Sequence, residues 1–387
     1  MEILFLVVFA FCLARLGVAV YNFASEPVLR VCKKRHNDLV SILVPARNEQ
    51  ESIAKLLDSV SLLDYGNFEL IVLDDHSSDR TFEICESYAG RDQRFSVVRG
   101  QALPQGWLGK NHACHQLAQL AKGSFLLFLD ADTTVHRQLL NAAVQRMHNG
   151  KLDLLSLFPD QQMESIGEKL VVPLMNYLLL TLLPIRLILK HPMPIFSAAS
   201  GQFMLFRACC YKKHQFHMAV KADIAEDLSI MKLVKKLACK GQGLLAGGLV
   251  TCRMYNGYLQ AVTGFSKNFL APFGGKIWLF STFLSLSVIG PASVMLLANP
   301  YLILALALTI LLTRAAVSKV CGQSLALNII LHPFQQLSLA VVGYLAILGT
   351  VRRDLEWKGR KISFAESVDH GRGVAKESPE SNRIPAV

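Results

Sequence analysis

Asp130 and Asp132 stand one residue apart at the end of the run Phe125-Leu126-Leu127-Phe128-Leu129, and carboxylates that close repel each other unless a cation joins them. A divalent metal carrying a diphosphate meets that need. The apolar run before them fits a parallel strand covered on both faces, and in open α/β sheets ligands gather where strands end. Asp130-Ala131-Asp132 is therefore a candidate metal and diphosphate site, with a solvated turn as the bland alternative. Two further acidic pairs could take part. Asp74-Asp75 closes Leu70-Ile71-Val72-Leu73, and Glu226-Asp227 opens the helical pattern Leu228, Ile230, Met231, Leu233, Val234. Acids in a first helical turn are also stabilised by the helix dipole without any catalysis.

These groups need a scaffold that brings strand ends together. Leu39–Val44 reads as a first strand that runs into Pro45-Ala46-Arg47-Asn48-Glu49, followed by a helix with Ile53, Leu56, Leu57 and Val60 on one face. After Leu73, the small polar residues of Asp74–Asp79 suit a turn and a cap for a helix over Phe82–Tyr88. A third strand is expected near Phe95–Val98. Gly109 and Gly123 bracket a helix with Ala113, Leu117 and Leu120 on its inner face. Alternating strands and helices predict an α/β domain with a parallel sheet whose acidic loops share one edge.

The chain has 387 residues, 52% of them hydrophobic, enough for a domain of residues 36–270 and a membrane part. Lys and Arg number 40 against 29 Asp and Glu. The excess could serve nucleic acid, anionic lipid or a diphosphate, but no arginine-rich stripe appears, so nucleic acid is not expected as a partner. Nine cysteines without a C-x-x-C pair fit a reducing compartment.

Ile3 to Tyr21 is apolar apart from Arg15, and basic residues follow it, which predicts an uncleaved membrane anchor over 1–25 rather than a signal peptide, where the charge comes first. Val171–Leu189 is apolar but interrupted by Pro173, Asn176, Pro184 and Arg186. It reads as an interfacial amphipathic segment, with a buried core helix as the alternative. Ile277–Leu297 carries no charge and matches the hydrocarbon thickness of about 30 Å. With Tyr301–Thr313 it predicts a hairpin across Ala298-Asn299-Pro300. Val320–Val351 has basic flanks on both sides, so within 277–351 a broken or re-entrant pair pivoting near Pro333 is expected. A basic tail over 352–387 follows, disordered from Asp369. His112/His115 and His214/His217 stand three apart, but no cysteine or carboxylate completes a tetrahedral set at nearby spacing, so zinc is not expected.

Taken in order, Ile42–Glu49, Leu73–Asp79, Lys110 in Gly109-Lys110-Asn111-His112-Ala113, Asp130-Ala131-Asp132 and Glu226-Asp227 resemble the donor and catalytic motifs of family 2 glycosyltransferases of the GT-A fold. Gly106-Trp107-Leu108-Gly109-Lys110, Arg253-Met254-Tyr255 and Glu356-Trp357-Lys358-Gly359-Arg360 are similar to the carotenoid-pathway branch. The resemblance implies a nucleotide-sugar donor, with a UDP-sugar favoured, and Mg²⁺ or Mn²⁺. Asp75 would bind the donor base above Pro45, Arg47 and Glu49. Lys110 would meet the phosphates from a helix N-terminus, Asp132 would hold the metal, and Asp130 the ribose or a metal-bound water. Asp227 would be the general base, with Glu226 in reserve. A single base with one metal implies inversion at the sugar carbon. Where processive members carry Gln-x-x-Arg-Trp, this chain has Gln260–Asn268, and Lys267 stands as a possible diphosphate contact without an arginine's fork. That departure favours single transfer to a lipid acceptor (carotenoid, hopanoid or glycerolipid) at the cytoplasmic face of the cell membrane. A processive polysaccharide synthase and a catalytically inactive membrane scaffold are the rival readings.

Overall fold

A computed structural model describes residues 2–352 and the backbone of two short paired strands, Glu356–Trp357 and Arg360–Lys361. Most of the expected basic and disordered tail lies outside the described residues.

Ten strands precede the last helices: β1 (Val40–Ala46), β2 (Phe68–Asp74), β3 (Phe95–Arg99), β4 (Phe125–Leu129), β5 (Thr133–Val135), β6 (Leu154–Phe158), β7 (Asp160–Gln161), β8 (Phe203–Arg207), β9 (Gly241–Leu245) and β10 (Val250–Cys252). Seven form one sheet in the order β3-β2-β1-β4-β8-β6-β9, and β5-β10-β7 form a smaller one. The large sheet is not wholly parallel as expected. β8 runs antiparallel to both β4 and β6, because the chain returns to the centre of the sheet after a long helical excursion rather than by a βαβ crossover.

Both faces of the sheet are covered, which explains the unbroken apolar runs. Phe125, Leu127 and Leu129 pack with the helix Ile53–Ser61, while Leu126 and Phe128 pack on the other side with the helix Gly109–Leu120. The first helix buries Ile53, Leu56, Leu57 and Val60 as its spacing predicts. In the second, Ala113 and Leu117 are buried with Cys114 and Ala118, but Leu120 is exposed. Register then aligns the strand ends: Ala46 lies beside Asp74, and Asp74 beside Arg99.

Among the described residues, four helices are long and apolar enough to cross a membrane: Glu2–Ser25, Ile277–Leu297, Pro300–Val320 and His332–Arg352. The first is tied to the domain. Asn22 donates to Leu180 O and Leu183 O and accepts from Ile185 N, and Val28 bridges to Leu245 on the outer strand β9. Between the second and third of these helices the chain turns at Ala298-Asn299-Pro300, with Asn299 Oδ1 accepting from Leu302 N at 3.0 Å.

Two expectations need correction. Val171–Leu189 is not one amphipathic helix. It divides into Pro173–Leu182 and Leu187–Lys190 around Pro184 and buries Leu174, Tyr177, Leu180, Ile185 and Ile188, so it is chiefly core. The apolar stretch after Val320 does not pivot at Pro333. A short helix Leu325–Ile330 turns at Leu331, and His332–Arg352 is one continuous helix. Pro333 falls in its first turn, where the missing N–H breaks no helical hydrogen bond.

Candidate active site

The Lys110 ammonium joins two of the acidic motifs. It lies 2.8 Å from Asp130 Oδ1 and 3.0 Å from Glu226 Oε1. Burial alone would favour the neutral amine, but the charges of Asp130 and Glu226 outweigh it and hold the ammonium well above its ordinary pKa. Lys110 comes from the first turn of Gly109–Leu120, and Asn111 beside it donates to Val220 O, Lys221 O and Asp223 O. These bonds fix the loop that leads into the helix Glu226–Lys236. Asn111 thereby sets the distance between Lys110 and Glu226.

Asp227 is held by backbone amides: Gly201 N donates to Oδ2 at 3.0 Å and Leu228 N to Oδ1 at 2.7 Å. Burial first, and the neighbouring Glu226 charge second, push its carboxyl up to about 7, against the lowering effect of those amides and of Lys110. Gly201 has no room for a side chain, since a Cβ there would come within 2.9 Å of Glu226 Oε1 and 3.0 Å of Lys110 Nζ. Gly201→Ala should cut kcat/KM by about 10²-fold through misplacement of these groups while the melting temperature changes little. Steady-state kinetics beside a thermal melt checks this, and an unchanged kcat/KM would show that the arrangement tolerates displacement.

Asp132 borders Cys252 and Tyr255. Burial, then the charges of Asp132 and Asp130, hold the Cys252 thiol well above its usual range, and the Tyr255 hydroxyl is raised by burial and then by Asp132. The Tyr255 ring fits against Gly264, where a Cβ would come within 2.3 Å of it. This gives the Gly in Gln260–Asn268 a packing reason. Lys267 caps the same helix, Tyr258–Ser266. Arg253 pairs with Glu164 at 2.6 Å and with the buried Glu168 at 3.1 Å.

The other edge of the site is built by β1 and β2. Arg47 Nη1 donates to Asp75 O and His76 O, and Asp75 N to Ala46 O, so the two loops are fastened at their roots. Glu49 N donates to Thr81 Oγ1 at 2.8 Å, and the Glu49 carboxylate accepts from Ser52 Oγ. Asp75 is buried, and Pro45 is half-buried at the strand end.

Asp130, Asp132, Glu226 and Asp227 thus stand with one lysine ammonium where β4, β8 and the helix Glu226–Lys236 meet. Carboxylate oxygen is the donor that a hard divalent cation takes, and Lys110 already engages Asp130 and Glu226. Gly201, Asn111 and Tyr255 were not assigned as site residues from the sequence. His112, His115 and His217 pack against aromatic rings of the core and its rim. His112 and His115 pack on Trp107, and His217 is a core residue bonded to Tyr211 at 2.8 Å, its pKa pushed down to about 3 by burial and then by Lys110.

Residues 41–208 match the family model for glycosyl transferase family 2. A 4,4'-diaponeurosporenoate glycosyltransferase of Staphylococcus haemolyticus is 25% identical over 65% of this chain and 67% of its own length. A beta-monoglucosyldiacylglycerol synthase of Trichormus variabilis is 38% identical over 26% of this chain, but the match spans only 22% of that protein. A mannosyltransferase from Pyrobaculum calidifontis, solved in complex with GDP-Man and Mn²⁺, superposes on 91% of this chain and 100% of its own with a TM-score of 0.54 at 16% identity, a likeness of fold. Residues 41–208 of the chain thus match glycosyl transferase family 2, and its α/β domain is GT-A-like in fold.

Proposed function

We propose that the protein is a metal-dependent, inverting glycosyltransferase that moves a sugar from a nucleotide diphosphate, a UDP-sugar by preference, to a lipid acceptor at the cytoplasmic face of the cell membrane. The observation that carries this reading is Asp227. Its carboxylate is held by two amides and not by the ammonium that engages Glu226, and its pKa of about 7 suits a general base near neutral pH.

In the proposed reaction Asp227 takes the proton of the acceptor hydroxyl as that oxygen attacks the anomeric carbon and the nucleoside diphosphate departs from the opposite face. Glu226 fixes Lys110, and Lys110 in turn orients Asp130 toward the donor's ribose and phosphates. Asp75 accepts from the donor base above Pro45, Arg47 and Glu49. Asp132 would hold Mg²⁺ or Mn²⁺, which when bound neutralises the diphosphate as it leaves. Lys267 is offered as a further phosphate contact. A lipid acceptor is supported by the junction of domain and membrane part: Tyr258–Ser266 and Ile166–Val171 pack on His332–Arg352 through Val171, Ala261, Phe265 and Leu339. A hydroxyl or carboxyl head could there approach the acidic corner while its tail stays in the bilayer. The two named relatives act on a carotenoid acid and a diacylglycerol lipid, in agreement with an acceptor of that class.

Two measurements test the roles. As pH falls through about 7, Asp227 becomes protonated and can no longer accept a proton, so kcat/KM should drop about tenfold per unit below that point. Glu226→Gln removes a charge that raises the Asp227 pKa, so its acid limb should move to lower pH. An unmoved limb would assign the base elsewhere. Lys110→Ala should weaken nucleotide-sugar binding in equilibrium titration, and unchanged affinity would remove Lys110 from the donor site.

A further inference from the structure

A second cluster of ligating side chains lies apart from the acidic corner. Cys210 and His214 stand one helical turn apart on Ala208–His214, and Cys239 follows the end of Glu226–Lys236. Cys239 reaches them because Ala238 adopts a left-handed conformation (φ 56°) that turns the chain back toward the first helix. Cys210 Sγ is 3.6 Å from Cys239 Sγ, and Cys239 Sγ is 3.9 Å from His214 Nε2, with all three ligand atoms within 4.8 Å of one another.

Those separations match a particular occupant. Bonds of about 2.3 Å to sulfur and about 2.0 Å to nitrogen in a tetrahedron put two thiolates roughly 3.8 Å apart and a thiolate and an imidazole roughly 3.5 Å apart. A disulfide would need the sulfurs at about 2.05 Å. Two soft sulfurs and an imidazole exclude Mg²⁺ and Mn²⁺ as the preferred ion and select zinc. Cys210 is buried, while His214 and Cys239 are half-buried at the rim, which leaves the fourth direction open to water.

We propose that Cys210, His214 and Cys239 bind one Zn²⁺ with water as the fourth ligand, fastening the helix that follows β8 to the far end of the helix that carries Glu226 and Asp227. On binding, the two thiols lose their protons and both sulfurs bond the ion, with no change of oxidation state. The ion would position the acidic corner from a distance rather than touch substrate. This site does not depend on the transferase reading.

The full-length protein, purified in detergent without chelator, should carry about one zinc per chain by elemental analysis. Exchange for Co²⁺ should give thiolate-to-cobalt charge-transfer absorption. Cys239→Ser and His214→Ala should lose both signals while circular dichroism stays that of the parent, and Asp132→Asn should keep them. Parent protein without zinc that also gives no thiolate–cobalt band would overturn the proposal. So would a mass two hydrogens lighter that traces to a Cys210–Cys239 disulfide, or zinc lost with Asp132→Asn and retained in Cys239→Ser.

Discussion

Asp227→Asn should lower turnover by about 10²–10⁴-fold, the usual contribution of a positioned general base, while nucleotide-sugar affinity stays within a few-fold of the parent. The asparagine keeps the size of the side chain, and its one oxygen can still accept from Gly201 N or from Leu228 N, which now hold the two carboxylate oxygens. It cannot take the acceptor's proton. Glu226 lies next in the chain but is engaged by Lys110 at 3.0 Å, so rescue from that side is not expected. Single-turnover transfer beside donor titration separates the two effects. Full turnover in Asp227→Asn would move the base to Glu226 or another group.

The other large effect is expected at Asp132. Replacing groups that merely support a metal ligand costs about 10–100-fold in metal affinity, so losing the ligand should cost at least that. Asp132→Asn should therefore bind a nucleotide-sugar no better with Mn²⁺ than without it, whereas the parent should bind far more tightly with the ion present. Calorimetric titration with UDP-, GDP- and dTDP-sugars measures this without knowledge of the acceptor. Equal metal-dependent affinity in the two proteins would place the cation on other oxygens.

Much of this arrangement was legible before any coordinates. The run Phe125–Leu129 is buried on both sides, so its composition announced a central strand, and the acids that follow had to lie at its end. The Ile53–Val60 spacing worked for the same local reason. Gly201 was not legible. Its meaning comes from β8 entering the sheet antiparallel between β4 and β6, pairings of residues some 50 to 80 apart in the chain that leave no periodic trace. Tyr255 was visible as part of a family-like triplet, yet its place beside Asp132 follows from the fold of β10 and the packing at Gly264. His214 drew notice for its partner three residues on, whereas the structure joins it to Cys210 and Cys239. Spacing along the chain found one of those three ligands, whereas Cys210 stands one turn before it and Cys239 arrives from a turn 25 residues later. Pro333 misled because a proline between apolar runs reads as a break, although the first turn of a helix accommodates one.

The central claim is that a sugar leaves a nucleotide diphosphate and ends on a lipid. Membranes containing the parent protein, Asp227→Asn or no added protein, incubated with radiolabelled UDP-glucose and Mn²⁺ and then extracted with organic solvent, test it most directly, with GDP- and dTDP-sugars run in parallel. Label is expected in a small organic-soluble product from one donor with the parent protein only. Label that accumulates in a water-soluble or insoluble polymer, or equally with Asp227→Asn, would contradict it.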